Sequence, residues 1–252
     1  MRGWLVGLML STSAFAGDVA ALPEGRFAPL FGLDVGQSAF PVGAFRLEVR
    51  PVSRADFAAF LASNPAWKKG KVAGALADAQ YLARFEMEAR TAPVTQVSYF
   101  AARAYCTWKG GRLPTTLEWE YAAAADETRR DASREADFAQ RILEWYGQPN
   151  RPDDLAQPGS PSNVYGVEAL HGLVWEWTDD FNALFVSGDN RQDGDKNDKF
   201  MCGSGSTGSA RREDYAAFMR YAMRSSLTPR SCLPRLGFRC AYAALPDDGG
   251  VR

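Results

Sequence analysis

Four cysteines, one histidine and a scatter of carboxylates and arginines are the residues of this 252-residue chain with the means to do chemistry. Cys106, Cys202, Cys232 and Cys240 could form bridges, and four cysteines allow three pairings. As thiolates they would suit a soft ion such as copper(I). His171 is the only histidine. It cannot build a histidine-rich non-haem iron site, and in its Gly-rich turn it reads as a structural or surface residue. Glu118, Glu120 and Glu176 together with Arg220, Arg224 and Arg239 could make buried ion pairs. Such networks are usually structural, although active-site charges look the same in sequence. Asp193-Gly-Asp195-Lys-Asn197-Asp198 looks calcium-like, but it lacks the glycine at position six and the glutamate at position twelve of an EF-hand loop, so it reads as a solvated loop. No Ser-His-Asp order, metal-hydrolase helix or phosphate-binding glycine loop is present.

Composition narrows the partners. Formal net charge is −1, with 46% apolar and 12% aromatic residues. That balance implies no nucleic-acid or anionic-membrane partner. Residues 1–16 combine Arg2, a short apolar run and Ala14-Phe15-Ala16, which reads as a secretory signal peptide cleaved after Ala16. The run is too short to span a bilayer, and no other segment looks able to. The mature chain is thus expected to be exported, periplasmic or secreted, in an oxidising compartment and without membrane insertion.

The elements that must position these residues can be read in order. Residues 17–34 form a Pro/Gly-rich lead-in. Phe40–Val52 alternates as a strand, with Phe45, Leu47 and Val49 on one face. Ser53 caps a helix through Phe60-Leu61. Asn64–Arg90 holds a basic turn and a segment that pattern does not place. Pro93–Val97 reads as a short strand, and Ser98 caps the helix that carries Tyr105, Cys106 and Trp108. Gly110-Gly111 breaks that helix. Arg112-Leu113-Pro114 leads into Thr115, and Thr115-x-x-Glu118 makes a capping box for the next helix. Asp126–Ala139 is a charged helix or loop, Trp145–Asn163 a proline-rich surface loop, and Ser187–Lys199 a Gly/Asp/Asn loop.

Three strings are more specific than any of these elements alone. Ala104-Tyr105-Cys106-x-Trp108 with Gly111-Arg-Leu-Pro-Thr-x-x-Glu-Trp-Glu-Tyr121 is the first. Gly172-Leu-Val-Trp-Glu-Trp-Thr178 is the second. Arg220-Tyr-Ala-Met-Arg224 with Gly237-Phe-Arg-Cys240 is the third. Together they resemble the sulfatase-modifying-factor family, the formylglycine-generating enzymes and their relatives. The resemblance covers about residues 35–242, with 243–252 as a tail. It implies an α+β fold, an irregular single domain related to the C-type lectin fold.

The resemblance also implies roles. It pairs Cys106 with Cys240. It places Cys202 as the first of two copper-binding cysteines, but Thr207 stands where the second belongs, so copper is doubtful. Cys232 is extra: it bridges Cys202, supplies a displaced ligand, or is simply buried. Gly172 and Val174 carbonyls and the Glu176 carboxylate map onto a calcium site whose remaining side-chain ligand falls on Ala169. Glu176 reads equally well as buried and hydrogen-bonded to amides. A groove is expected in which Cys202 and Arg224 act beside Trp175, Ser204, Ser206 and Thr207. His171 alone sets the chain apart from the ergothioneine-type sulfoxide synthases. Three functions follow: an exported oxidoreductase or protein-maturation factor with altered metal chemistry and a protein or peptide client; a non-catalytic binding module on the same fold; or an accessory factor for assembling another exported enzyme. Loss of the second cysteine, of the ligand at Ala169, and of an acid at Arg230 favours the binding module over the enzyme.

Overall fold

Local caps set where the helices begin. A computed structural model of the chain describes residues 19–29, 39–87, 89–147, 161–182 and 212–245. Helix α1 (Arg54–Ser63) starts where the Ser53 hydroxyl accepts the Asp56 N–H at 3.1 Å. Helix α2 (Tyr99–Trp108) starts at Ser98, whose hydroxyl accepts from the Ala101 amide. Helix α3 (Thr116–Ala123) carries the capping box complete: Glu118 N–H donates to the Thr115 hydroxyl at 3.1 Å, and Thr115 N–H donates to the Glu118 carboxylate at 2.8 Å. Each such cap offsets an otherwise orphan donor, worth about 1 kcal/mol. Glu118 pairs with Arg112 at 2.6 Å rather than with the more distant arginines.

The strands are short and belong to three small sheets. β1 (Val19–Leu22), β4 (Phe45–Glu48) and β7 (Ala241–Ala243) form an antiparallel sheet in the order β1-β4-β7. β2 (Gly25–Phe27) pairs with β3 (Phe40–Val42), and β5 (Trp175–Glu176) runs parallel to β6 (Leu236–Gly237). The stretch the sequence sets apart as a lead-in therefore supplies both β1 and β2. The single strand expected over Phe40–Val52 divides into β3 and β4, which pair with different partners. Phe45 and Leu47 are buried, as their alternation predicts. No strand forms over Pro93–Val97. Gln96 takes φ 56°, outside the extended region, and its carbonyl and side chain are taken by the Leu82 and Arg84 amides.

Helix α4 (Ala136–Gly147) replaces part of what the sequence reads as loop, and Trp145 lies in its last turn. Helix α5 (Arg212–Ser225) packs against it. One core gathers α1, α2, Trp177 and Phe238 around Cys106 and Cys240. A second lies between the three-stranded sheet and α3, and a small third holds Phe138, Ile142 and Ala216 between α4 and α5. The result is an α+β fold. Among the described residues no helix is long and apolar enough to cross a membrane.

Cys106 and Cys240 form a disulfide across 134 residues of sequence, with Cα atoms 5.4 Å apart. Closing a loop of that size stabilises by about 5 kcal/mol in the chain-entropy view. Cys232 is a free, buried thiol; its expected bridge partner, Cys202, lies outside the described residues. The Cys232 Sγ–H donates to the Arg230 carbonyl at 3.3 Å, and burial pushes it up to about 12. Such a thiol is a poor metal ligand, since ligation needs the thiolate. Cys202, Ser204, Ser206 and Thr207 lie outside the described residues, as do the loops 187–199 and 203–211.

Candidate functional site

Six segments of chain converge on one cleft. Helix α3 contributes Trp119, α4 contributes Trp145 and Tyr146, the turn before β5 contributes Gly172 to Val174, β5 contributes Trp175, α5 contributes Arg220, Met223 and Arg224, and the chain entering β6 contributes Arg235 and Leu236. The strand alternation of β5 explains the division of labour in Trp175-Glu176-Trp177. Trp175 stays half-buried against the cleft, with its ring 5.0 Å from that of Tyr146. Trp177 is fully buried, and its indole N–H donates to the Val97 carbonyl at 2.9 Å. Glu176 points the other way, into the protein.

Glu176 meets Arg239 there, and both side chains are closed off from solvent. Arg239 Nε and Nη2 donate to the two carboxylate oxygens at 2.8 Å each. Trp119 Nε1 adds a third donor at 2.7 Å. Arg239 spends its remaining N–H groups on the carbonyls of Glu48, Val49, Glu168 and Ala169. A calcium ion would need Glu176's oxygens, and a guanidinium already holds both. The set Gly172, Val174 and Glu176 therefore does not fit calcium. Nor do the donors to Glu176 include backbone amides; they are an arginine and an indole.

The second ion network forms the cleft's own wall. Glu120, on α3, is buried at 3% exposure between two arginines one helical turn apart on α5. Arg220 grips it through Nε at 3.0 Å and Nη2 at 2.7 Å, and Arg224 donates from Nη1 at 2.6 Å. Burial would raise the Glu120 pKa, but the two guanidiniums outweigh it and hold the carboxyl down to about 2. Both arginines lie over the Trp119 ring, Arg224 at 4.8 Å and Arg220 at 5.9 Å. Such cation–π contacts offset part of the charge left over when two cations share one anion.

Behind this wall sits His171. Trp145 stacks on it at 6.0 Å, and Trp119 and Phe138 meet it edge-on. Its Nε2 lies 2.8 Å from the Ala123 carbonyl, so that nitrogen carries the proton and donates. Burial, with help from Arg220, pushes the imidazole down to about 3. His171 is thus neutral and structural, as the sequence suggests. The turn that delivers it needs glycine at 172: φ is +85°, and a Cβ there would come within 2.7 Å of Trp145 Cβ.

Trp175, Glu176 and Arg224 are brought together as expected, though Glu176 lies beneath the cleft with its carboxylate already paired. Arg224 is held by Glu120 and aromatic stacking. Sequence reading missed Trp145 and Tyr146 as cleft residues. The signal that could have found them is Phe138, Ile142 and Trp145, apolar at helical spacing.

Residues 17–244 match the family described as "Sulfatase-modifying factor enzyme 1-like domain". The chain is 34% identical over 178 residues to the formylglycine-generating enzyme of Mus musculus, which covers 61% of this chain and 45% of that protein. It is 32% identical over 177 residues to a Bos taurus protein named inactive C-alpha-formylglycine-generating enzyme 2, covering 60% of this chain and 50% of that one. The matched region spans about half the length of these relatives. Among solved structures, PvdO from Pseudomonas aeruginosa aligns with a TM-score of 0.46 and 18% identity, over 90% of this chain and 94% of that one.

Proposed function

Because the chain belongs to the sulfatase-modifying factor enzyme 1-like family, we propose that it is an exported protein-maturation factor that holds a peptide client in the cleft below Trp175. One observation carries the reading. Trp175, Arg220 and Arg224 come from the second and third family-like strings, Trp119 comes from the first, and all of them line a single cleft. The buried Cys106–Cys240 disulfide supports an oxidising compartment.

The chemistry differs from paired-thiolate oxidation. The chain has one cysteine, Cys202, where the resembled enzymes have two, and Cys232 is buried with its proton held. In and behind the cleft wall, among the described residues, the carboxylates Glu120 and Glu176 are paired with arginines and His171 is neutral and hydrogen-bonded. None of these is poised as a general base. This same inventory favours the second reading, a non-catalytic binding module. The named relatives include both an enzyme and a protein called inactive, so they do not choose between the two.

A photo-cross-linking residue placed at Met223, in the cleft lining, tests the site. In the full chain expressed with its native exported proteins, it should give one discrete adduct. The same residue at Met87, 76% exposed and outside the lining, should not. Equal adducts from both positions, or none from Met223, would overturn the proposal.

A further inference from the structure

We propose that the group this cleft recognises is a carboxylate borne on an aromatic or other apolar residue of the client. The inference rests on the cleft being the client's site. Arg224 is the residue that argues for it. It is 5% exposed, yet it lines the cleft, and its guanidinium carbon lies 4.8 Å from the centre of the Trp119 ring. Among the described residues it makes one hydrogen bond, from Nη1 to Glu120. Its Nε and Nη2 make no hydrogen bond to a described residue, and the side chain lines the cleft. Those two N–H groups are the parallel pair that a carboxylate meets in bidentate fashion.

Charge points the same way. Two buried guanidiniums share the single Glu120 carboxylate, which among the described residues leaves this pair of arginines one positive charge in excess. Glu176 cannot compensate, because Arg239 already neutralises it. A buried charge left unpaired is costly, and an incoming anion removes that cost. Size and lining select which anion. The cavity is ≈ 40 Å³, on the order of three water-sized spheres. That admits a carboxylate head group. Above the guanidinium the walls are Trp175, Tyr146, Leu173 and Met223, which suit an apolar or aromatic body next to the charged head.

Three small probes test this on the full chain by titration of tryptophan fluorescence. N-acetylphenylalanine has a terminal carboxylate, N-acetyl-aspartyl-phenylalaninamide has only a side-chain carboxylate, and N-acetylphenylalaninamide has none. At least one carboxylate should bind saturably, roughly tenfold or more tighter than the neutral amide. The tighter of the two identifies whether a chain end or an acidic side chain is read. Arg224→Gln should weaken the carboxylate about tenfold and leave the amide unchanged. Should that variant fail to fold, the acid-to-amide ratio on the unaltered protein decides alone. Equal binding of acid and amide, or no binding of either acid, overturns the inference. If the acids fail while Met223 still cross-links a client, the site stands and the carboxylate falls. If the acids bind but nothing cross-links, the converse holds.

Discussion

Arg239→Met is expected to destabilise the protein by about 3–5 kcal/mol, because it strands a buried charge. Glu176 would lose both guanidinium donors in a closed interior and keep only the Trp119 indole N–H. Four backbone carbonyls would lose a guanidinium donor at the same stroke, and that of Val49 keeps the Glu168 N–H. Domains of this kind are stable by about 5–15 kcal/mol in all, so the variant should be marginal or unfolded at 37 °C. Lysine should not rescue it, since a single ammonium cannot reach the places that a planar fork reaches. The double variant Arg239→Met/Glu176→Gln should recover part of the loss: it removes the stranded charge and leaves Trp119 an acceptor. Urea unfolding followed by circular dichroism measures both. A loss under about 1 kcal/mol for the single variant would contradict the geometry.

Glu120→Gln is expected to cost a similar amount, about 3–5 kcal/mol, for the opposite reason: two guanidiniums are left without an anion. It also carries a pH signature. The folded-state carboxyl is held near 2, below its ordinary 4.5. Its contribution is therefore fully present above about pH 4.5 and is lost as pH falls toward 2. Unfolding midpoints measured from about pH 6 down to pH 3 should fall for the unaltered protein and fall less steeply for Glu120→Gln. Equal slopes would show that Glu120 is not the group that titrates.

These two networks show where the sequence is readable and where it is not. The caps at Ser53, Ser98 and Thr115 were legible because each is a contact over three residues, fixed by residue type and spacing. The Cys106–Cys240 pairing was legible only through resemblance, since nothing local links residues 134 apart. The calcium reading failed for the same reason. Gly172, Val174 and Glu176 look like a ligand set in their own neighbourhood, and only the folded chain brings Arg239 onto Glu176. The strand expected at Pro93–Val97 failed because a left-handed Gln96 answers to contacts with Leu82 and Arg84. Trp145 and Tyr146 were hidden because the prolines after them make Trp145–Asn163 read as loop, although the apolar spacing of the helix that ends at Gly147 was there to count. The expected meeting of Trp175 and Arg224 holds. Cys202 and the serines after it lie outside the described residues.

The central claim is that this chain keeps the family's scaffold and, as proposed above, binds a client in its cleft without paired-thiolate oxidation. The most direct measurement is an assay for formylglycine. The full chain, loaded with copper(I) under oxygen, is incubated with a peptide containing Cys-x-Pro-x-Arg, and the product is read by mass spectrometry and aldehyde capture. The account predicts an unchanged cysteine, because one thiol at Cys202 cannot form the linear dithiolate and Cys232 keeps its proton in the core. Copper-dependent conversion of that cysteine to the aldehyde would contradict it.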